Sequence, residues 1–247
     1  MRVFAILGGS LVLLYLVYLA LVGLNQRRLL YFPSHDANTS QLELWIVGEQ
    51  IIGYARTRPH PRTVWLMTHG NGGQANQRAY VLAHLASDDA LYVLEYPGYG
   101  LRAGEPSRTT FDAAAVEAYD ALRAAFPQTP IGVIGESIGS GPASFLATLP
   151  RPPDKLVLIV PFDTLASVAA EQMPLVPARL LLLDRWDNVA ALRNYAGPVD
   201  IFGARHDRII PVAHAQRLAA VVPRARFVLL DCGHNDWSAE AGVRIER

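Results

Sequence analysis

The chain has 247 residues, 51% of them hydrophobic and 18% charged, enough apolar material for one large core and too little charge for a disordered chain. Lys plus Arg and Asp plus Glu balance at 22 each, so net charge gives no reason to expect a nucleic-acid partner. A single cysteine, Cys232, excludes an intrachain disulfide and a multi-cysteine zinc site, and at the end of an apolar run it reads as a small buried residue.

From Val3 to Leu24 no residue is charged. These 22 residues, at roughly 1.5 Å each, give about 33 Å of helix, enough for a hydrocarbon core of about 30 Å. The apolar run exceeds a signal-peptide core, and no small-x-small cleavage site precedes Asn25, so residues 1–28 are expected to form an uncleaved membrane anchor. Tyr15 and Tyr18 sit inside the span rather than at its edges. Arg2 on one side is countered by Arg27 and Arg28 on the other, so the charge bias assigns no orientation. Asn38-Thr39-Ser40 matches a glycosylation triplet, a pattern too short to carry weight.

Past Pro33, strand and helix patterns alternate, which predicts an α/β domain over 29–247 with a mostly parallel sheet and helices on both faces. Leu42–Val47 and Ile51–Ala55 read as an opening antiparallel pair. Thr63–Thr68, Leu91–Glu95, Ile131–Ile134, Leu156–Val160, Val199–Phe202 and Arg226–Leu230 are short Val, Ile and Leu runs, as strands buried on both faces should be. Helices are predicted at Gln77–Ala86, Phe111–Ala125, Ile138–Thr148 and Ala213–Val221. The 162–197 stretch breaks the alternation and predicts either a small lid or ordinary packing at the sheet edge.

Gly135-Glu136-Ser137-Ile138-Gly139 follows a predicted strand and precedes a predicted helix, the context in which G-x-S-x-G marks a nucleophile elbow. A serine hydroxyl needs a base, and the base a carboxylate, both expected on later strand ends. His234 in Cys232-Gly233-His234-Asn235-Asp236 follows the last strand, while His206 and His214 are less constrained. Asp207, just past the strand at Val199–Phe202, completes the order Ser, Asp, His; Asp184, Asp187 and Asp236 are fallbacks, with Asp187 more simply a helix cap. Oxyanion donors are expected from the Ile138 backbone N–H and from the loop His69-Gly70-Asn71-Gly72-Gly73, with Asn71 as second donor and Gly72 as its rival.

Together with Arg28-Leu29-Leu30-Tyr31-Phe32-Pro33 and Tyr96-Pro97-Gly98-Tyr99-Gly100, these motifs resemble the membrane-anchored α/β-hydrolases of the BEM46-like family across nearly the whole chain. The resemblance implies an α/β-hydrolase fold with Ser137 as nucleophile, Asp207 as acid and His234 as base. The expected activity is hydrolysis of a small-molecule acyl ester or thioester through an acyl-enzyme intermediate, with no cofactor and no metal. A peptidase or amidase with the same triad, and a non-catalytic receptor keeping the fold, are the alternatives. The stretch after His234 is shorter than the closing helix such enzymes carry.

Overall fold

The uncharged N-terminal run forms one unbroken helix, α1 (Arg2–Leu30), in the computed structural model, which describes residues 2–36 and 40–247. Asn38 and Thr39 of the glycosylation-type triplet lie outside the described residues. Helix α1 passes two residues beyond the predicted anchor boundary, and Arg27 and Arg28 fall in its last turn, where positive charge favours the helix dipole. By length and composition it can cross a membrane.

The strands in chain order are β1 (Phe32–Pro33), β2 (Glu43–Val47), β3 (Gln50–Arg56), β4 (Val64–Thr68), β5 (Gly72–Gly73), β6 (Ala90–Leu94), β7 (Ile131–Glu136), β8 (Lys155–Ile159), β9 (Val199–Ala204) and β10 (Ala225–Leu230). Eight of them form one sheet in the order β10-β9-β8-β7-β4-β6-β3-β2. The β2–β3 and β3–β6 pairs are antiparallel and the others parallel, with the opening antiparallel pair where the sequence places it. Every residue of β4, β6, β7, β8 and β9 is buried, which is why these strands read as continuous apolar runs rather than alternating ones.

Both faces of the sheet are covered. Helix α2 (Arg108–Ala125), started by a Ser107–Thr110 capping box, packs with α3 (Ser140–Leu146) on one face. There Phe111, Leu122 and Leu146 meet Leu66, Val133 and Leu158. On the other face Trp65, Met67 and Ile134 share a core with Val81, Trp237 and Ile245. Val81 belongs to a 3₁₀ helix, Ala75–His84, where a regular helix over Gln77–Ala86 is predicted. Arg78 breaks the helical path there (φ −97, ψ 15), and the Gln74 side chain gives no cap to nucleate a regular turn. The predicted Ile138–Thr148 helix likewise opens as a 3₁₀ turn, Ser137–Gly139, before α3 begins.

The 162–197 stretch folds into α4 (Leu165–Gln172), α5 (Ala178–Leu181) and α6 (Asn188–Leu192). Thr164 caps α4 through Ser167 N–H, and Asp187 caps α6 through Ala190 N–H, the capping role read for it in the sequence. Helix α7 (Ala213–Val221) follows β9. Apart from the large sheet, β1 pairs in parallel with β5, which joins the chain leaving α1 to the loop after β4.

Candidate active site

The end of β7 delivers Ser137 in a left-handed conformation, φ 53, which side chains rarely adopt. The flanking glycines are dictated by space. A Cβ on Gly139 would stand 2.0 Å from the Thr68 carbonyl oxygen and 2.6 Å from that of His69, and one on Gly135 would stand 2.6 Å from the Ala143 Cβ. Two side-chain bonds fix the turn: Thr68 Oγ1 donates to the Gly139 carbonyl (2.8 Å), and Ser140 Oγ to that of Ser137 (2.7 Å).

Ser137 Oγ lies 2.9 Å from His234 Nε2, and His234 Nδ1 lies 2.6 Å from Asp207 Oδ2. With the proton on Nδ1, the ring donates to Asp207 and its Nε2 accepts from the serine hydroxyl. Asp207 is oriented in turn, since its Oδ1 accepts the backbone N–H groups of Ile209 and Ile210, each at 2.8 Å. The three side chains follow the ends of β7, β9 and β10, so parallel strands of one sheet bring together residues distant in sequence.

The other candidates go elsewhere. His206 is exposed and bonds Asp231, and His214 is buried against Asp163. Asp184 accepts from Tyr31 Oη and Arg27, Asp187 caps α6, and Asp236 starts the short 3₁₀ turn Trp237–Ala239. Cys232 is buried, as expected, and burial pushes its thiol up to about 11.

In the loop after β4, the Gly70 N–H is already bonded to Glu136 Oε2 (2.9 Å), leaving it unsuited to an oxyanion. The Asn71 side chain is also engaged. Its Nδ2 donates to the Leu30 carbonyl, and its Oδ1 accepts from Tyr99 Oη (3.0 Å) and Phe32 N–H (3.3 Å). Both polar ends of the Asn71 side chain are therefore occupied within the protein. Asn71, Gly72 and Ile138 line the same cavity as Ser137 and His234.

Sequence reasoning missed Glu136, the variable position of the G-x-S-x-G motif. Its buried carboxylate accepts Gly70 N–H, Tyr80 Oη–H (2.8 Å) and Trp237 Nε1–H (2.8 Å). Burial works to raise its pKa, but the Arg78 charge and these hydrogen bonds outweigh it and hold the group below the usual carboxylate range. One anion thus ties the end of β7 to the loop after β4, the Ala75–His84 helix and the chain just after His234. Nothing local marks this role, because its side-chain partners lie 56 and 101 residues away.

The sequence profile described as "alpha/beta hydrolase fold" matches residues 64–191, just over half of the chain. An uncharacterized protein of Mycobacterium tuberculosis, Rv2307c, is 32% identical over 229 residues, covering 86% of this chain and 81% of the relative. The chain belongs to the α/β-hydrolase family. Lysophosphatidylserine lipase ABHD12 of Xenopus tropicalis is a more distant relative of this α/β-hydrolase, 27% identical over 162 residues, covering 60% of this chain and 42% of the relative. Among solved structures, the esterase PF2001 of Pyrococcus furiosus shares the fold, with a TM-score of 0.64 and 14% identity over 85% of this chain and 95% of that one.

In this α/β-hydrolase Ser137 and His234 face a cavity of about 590 Å³. Its walls are mainly apolar: Leu165, Val168 and Met173 from α4 and its C-terminal end, and Leu181 from α5. Helix α1 supplies a further wall through Val22, Gln26, Leu29 and Leu30. Within the 162–197 stretch, α4 and α5 line the cavity, whereas α6 packs on α3.

Proposed function

We propose that this α/β-hydrolase is a membrane-anchored serine hydrolase of the BEM46-like branch that cleaves esters or thioesters of apolar acyl groups. Residues 1–28 act as the anchor, 29–247 as the catalytic domain and 162–197 as its lid. One observation carries the reading: Asp207, His234 and Ser137 form a continuous hydrogen-bonded chain, 2.6 and 2.9 Å long at its two links, on the wall of an apolar cavity. The cavity walls suit an acyl chain better than a charged or peptide-like group, and the frog relative is named as a lipase.

Ser137 Oγ attacks the acyl carbonyl while His234 Nε2 takes its proton. Asp207 holds the imidazole tautomer and stabilises the imidazolium. The oxyanion accepts from the backbone N–H groups of Ile138 and Asn71. Collapse expels the alcohol or thiol, protonated by His234, and leaves an ester on Ser137. Water, deprotonated by His234, then attacks that ester and releases the acid and the free hydroxyl.

A fluorophosphonate probe applied to the full-length protein tests the reading. Wild type is expected to label and Ser137→Ala not to. A folded wild type that resists the probe would sink the proposal in favour of a receptor.

A further inference from the structure

Tyr15 lies in the middle of the apolar run, yet its hydroxyl donates to the Leu175 carbonyl of the lid at 2.9 Å. Lower on the same helix face, Gln26 Oε1 accepts the Leu183 N–H (2.7 Å) and Gln26 Nε2 approaches the Leu181 carbonyl (3.4 Å). Met173–Leu183 thus lies alongside α1 instead of clear of it. Tyr15 is nine residues inside Leu24, up to about 14 Å along the helix, and one leaflet holds about 15 Å of hydrocarbon. Any placement that puts Val3–Leu24 in a bilayer carries Leu175 into it as well.

The segment is built for such a medium. Leu175, Leu180 and Leu183 are 71, 77 and 67% exposed, a display of large aliphatic side chains that water penalises and lipid accepts. Irregular backbone in hydrocarbon must have its polar groups satisfied. Here Pro174 and Pro177 have no N–H, and the N–H groups of Val176, Ala178, Leu180, Leu181 and Leu182 bond within the segment. Arg185 covers the Leu180 and Leu182 carbonyls, and Tyr15 and Gln26 cover others. Arg179 is the segment's ionisable residue; it is exposed, and its length allows the guanidinium to reach headgroups.

We propose that Met173–Leu183 lies within the leaflet beside α1, and that the acyl chain of a bilayer lipid reaches Ser137 sideways between this segment and the Val22–Leu30 face of α1. The proposal rests on the reading of α1 as a membrane anchor. It adds a route into the catalytic cavity from hydrocarbon, because α1 and the lid wall the same cavity.

Full-length protein carrying Cys232→Ser is reconstituted in phosphatidylcholine vesicles, with a single cysteine bearing a nitrobenzoxadiazole fluorophore at Leu175→Cys, Leu180→Cys, Leu11→Cys or Thr148→Cys. Positions 175 and 180 are expected to behave like 11, quenched by a nitroxide on the lipid acyl chain and protected from aqueous iodide, with 148 the reverse. Iodide access at 175 and 180 with lipid quenching at 11 would overturn the proposal and leave the anchor standing. Iodide access at 11 would remove the anchor reading and the proposal with it. In a second arm, Leu175→Asp/Leu180→Asp, which alters no cavity-lining residue, is expected to slow hydrolysis of vesicle-embedded 4-methylumbelliferyl palmitate at least about tenfold while leaving soluble 4-methylumbelliferyl acetate within about twofold. An unchanged ratio of the two rates would overturn lateral delivery.

Discussion

Trp237 Nε1 donates to Glu136 Oε1 at 2.8 Å, so the residue before Ser137 grips the chain just after His234. The indole also packs against Tyr80 and His84, with ring centroids 5.6 and 5.3 Å away. Trp237→Phe keeps a ring in the pocket and loses the bond. A bond to a buried anion contributes about 2 kcal/mol, and a base displaced even slightly from its nucleophile costs roughly tenfold or more in turnover. We expect both losses, read by urea unfolding and by kcat on a short soluble ester. An unchanged kcat would show that the His234 loop is held by other contacts.

Asp207→Asn removes the charge behind His234 and lets an amide N–H face the ring, which favours the wrong tautomer. Turnover is expected to fall on the order of 10⁴-fold with the fold intact. Single-turnover kinetics with a soluble ester, alongside circular dichroism, separates lost chemistry from lost structure.

Gly139→Ala is expected to destabilise the protein by about 3 kcal/mol or to prevent its accumulation, because the new methyl group meets backbone oxygen that has nowhere to go. A thermal midpoint within a degree of wild type would refute the elbow geometry.

Asp163 links the start of the 162–197 stretch to α7. Burial would raise its pKa, but hydrogen bonds from His214, Arg217 and the Thr164 N–H hold it at about 2. A carboxylate whose folded pKa lies below its unfolded value of about 3.9 stabilises the fold above that unfolded value. That contribution, on the order of 2 kcal/mol, is lost as pH falls from about 4 toward 2. Unfolding free energy measured across this window should decline less steeply in Asp163→Asn than in wild type.

Burial holds the Cys232 thiol near a pKa of about 11, leaving little thiolate at pH 8. Native protein is expected to react with iodoacetamide on the order of 10²-fold more slowly than urea-unfolded protein, in which the thiol titrates near its ordinary value. Mass spectrometry of the alkylated chain over time provides the comparison.

The layered fold was legible because β4, β7, β8 and β9 are buried end to end, and such strands announce themselves as aliphatic runs. The elbow was equally legible, since its glycines answer to local crowding. Tertiary contacts hid the rest. Ala75–His84 has a helical composition, but its path is set by Ala75, Asn76 and Val81 lodging against the sheet. The Glu136 cluster and the contacts of α1 with the 162–197 stretch join residues 56 to 160 apart, with no periodicity to betray them. Asn71 shows both limits: its loop could be located from the glycines, while its grip on Leu30 and Phe32 could not.

That grip joins the last turns of α1 to the cavity, which Val22, Gln26, Leu29 and Leu30 help to wall. A fragment beginning after Leu30 would lack one cavity wall and the carbonyl that Asn71 Nδ2 holds, so rates measured on it would describe a wider, differently shaped pocket. Replacing α1 with an unrelated apolar helix would restore its length and still leave the cavity without its Val22–Leu30 wall.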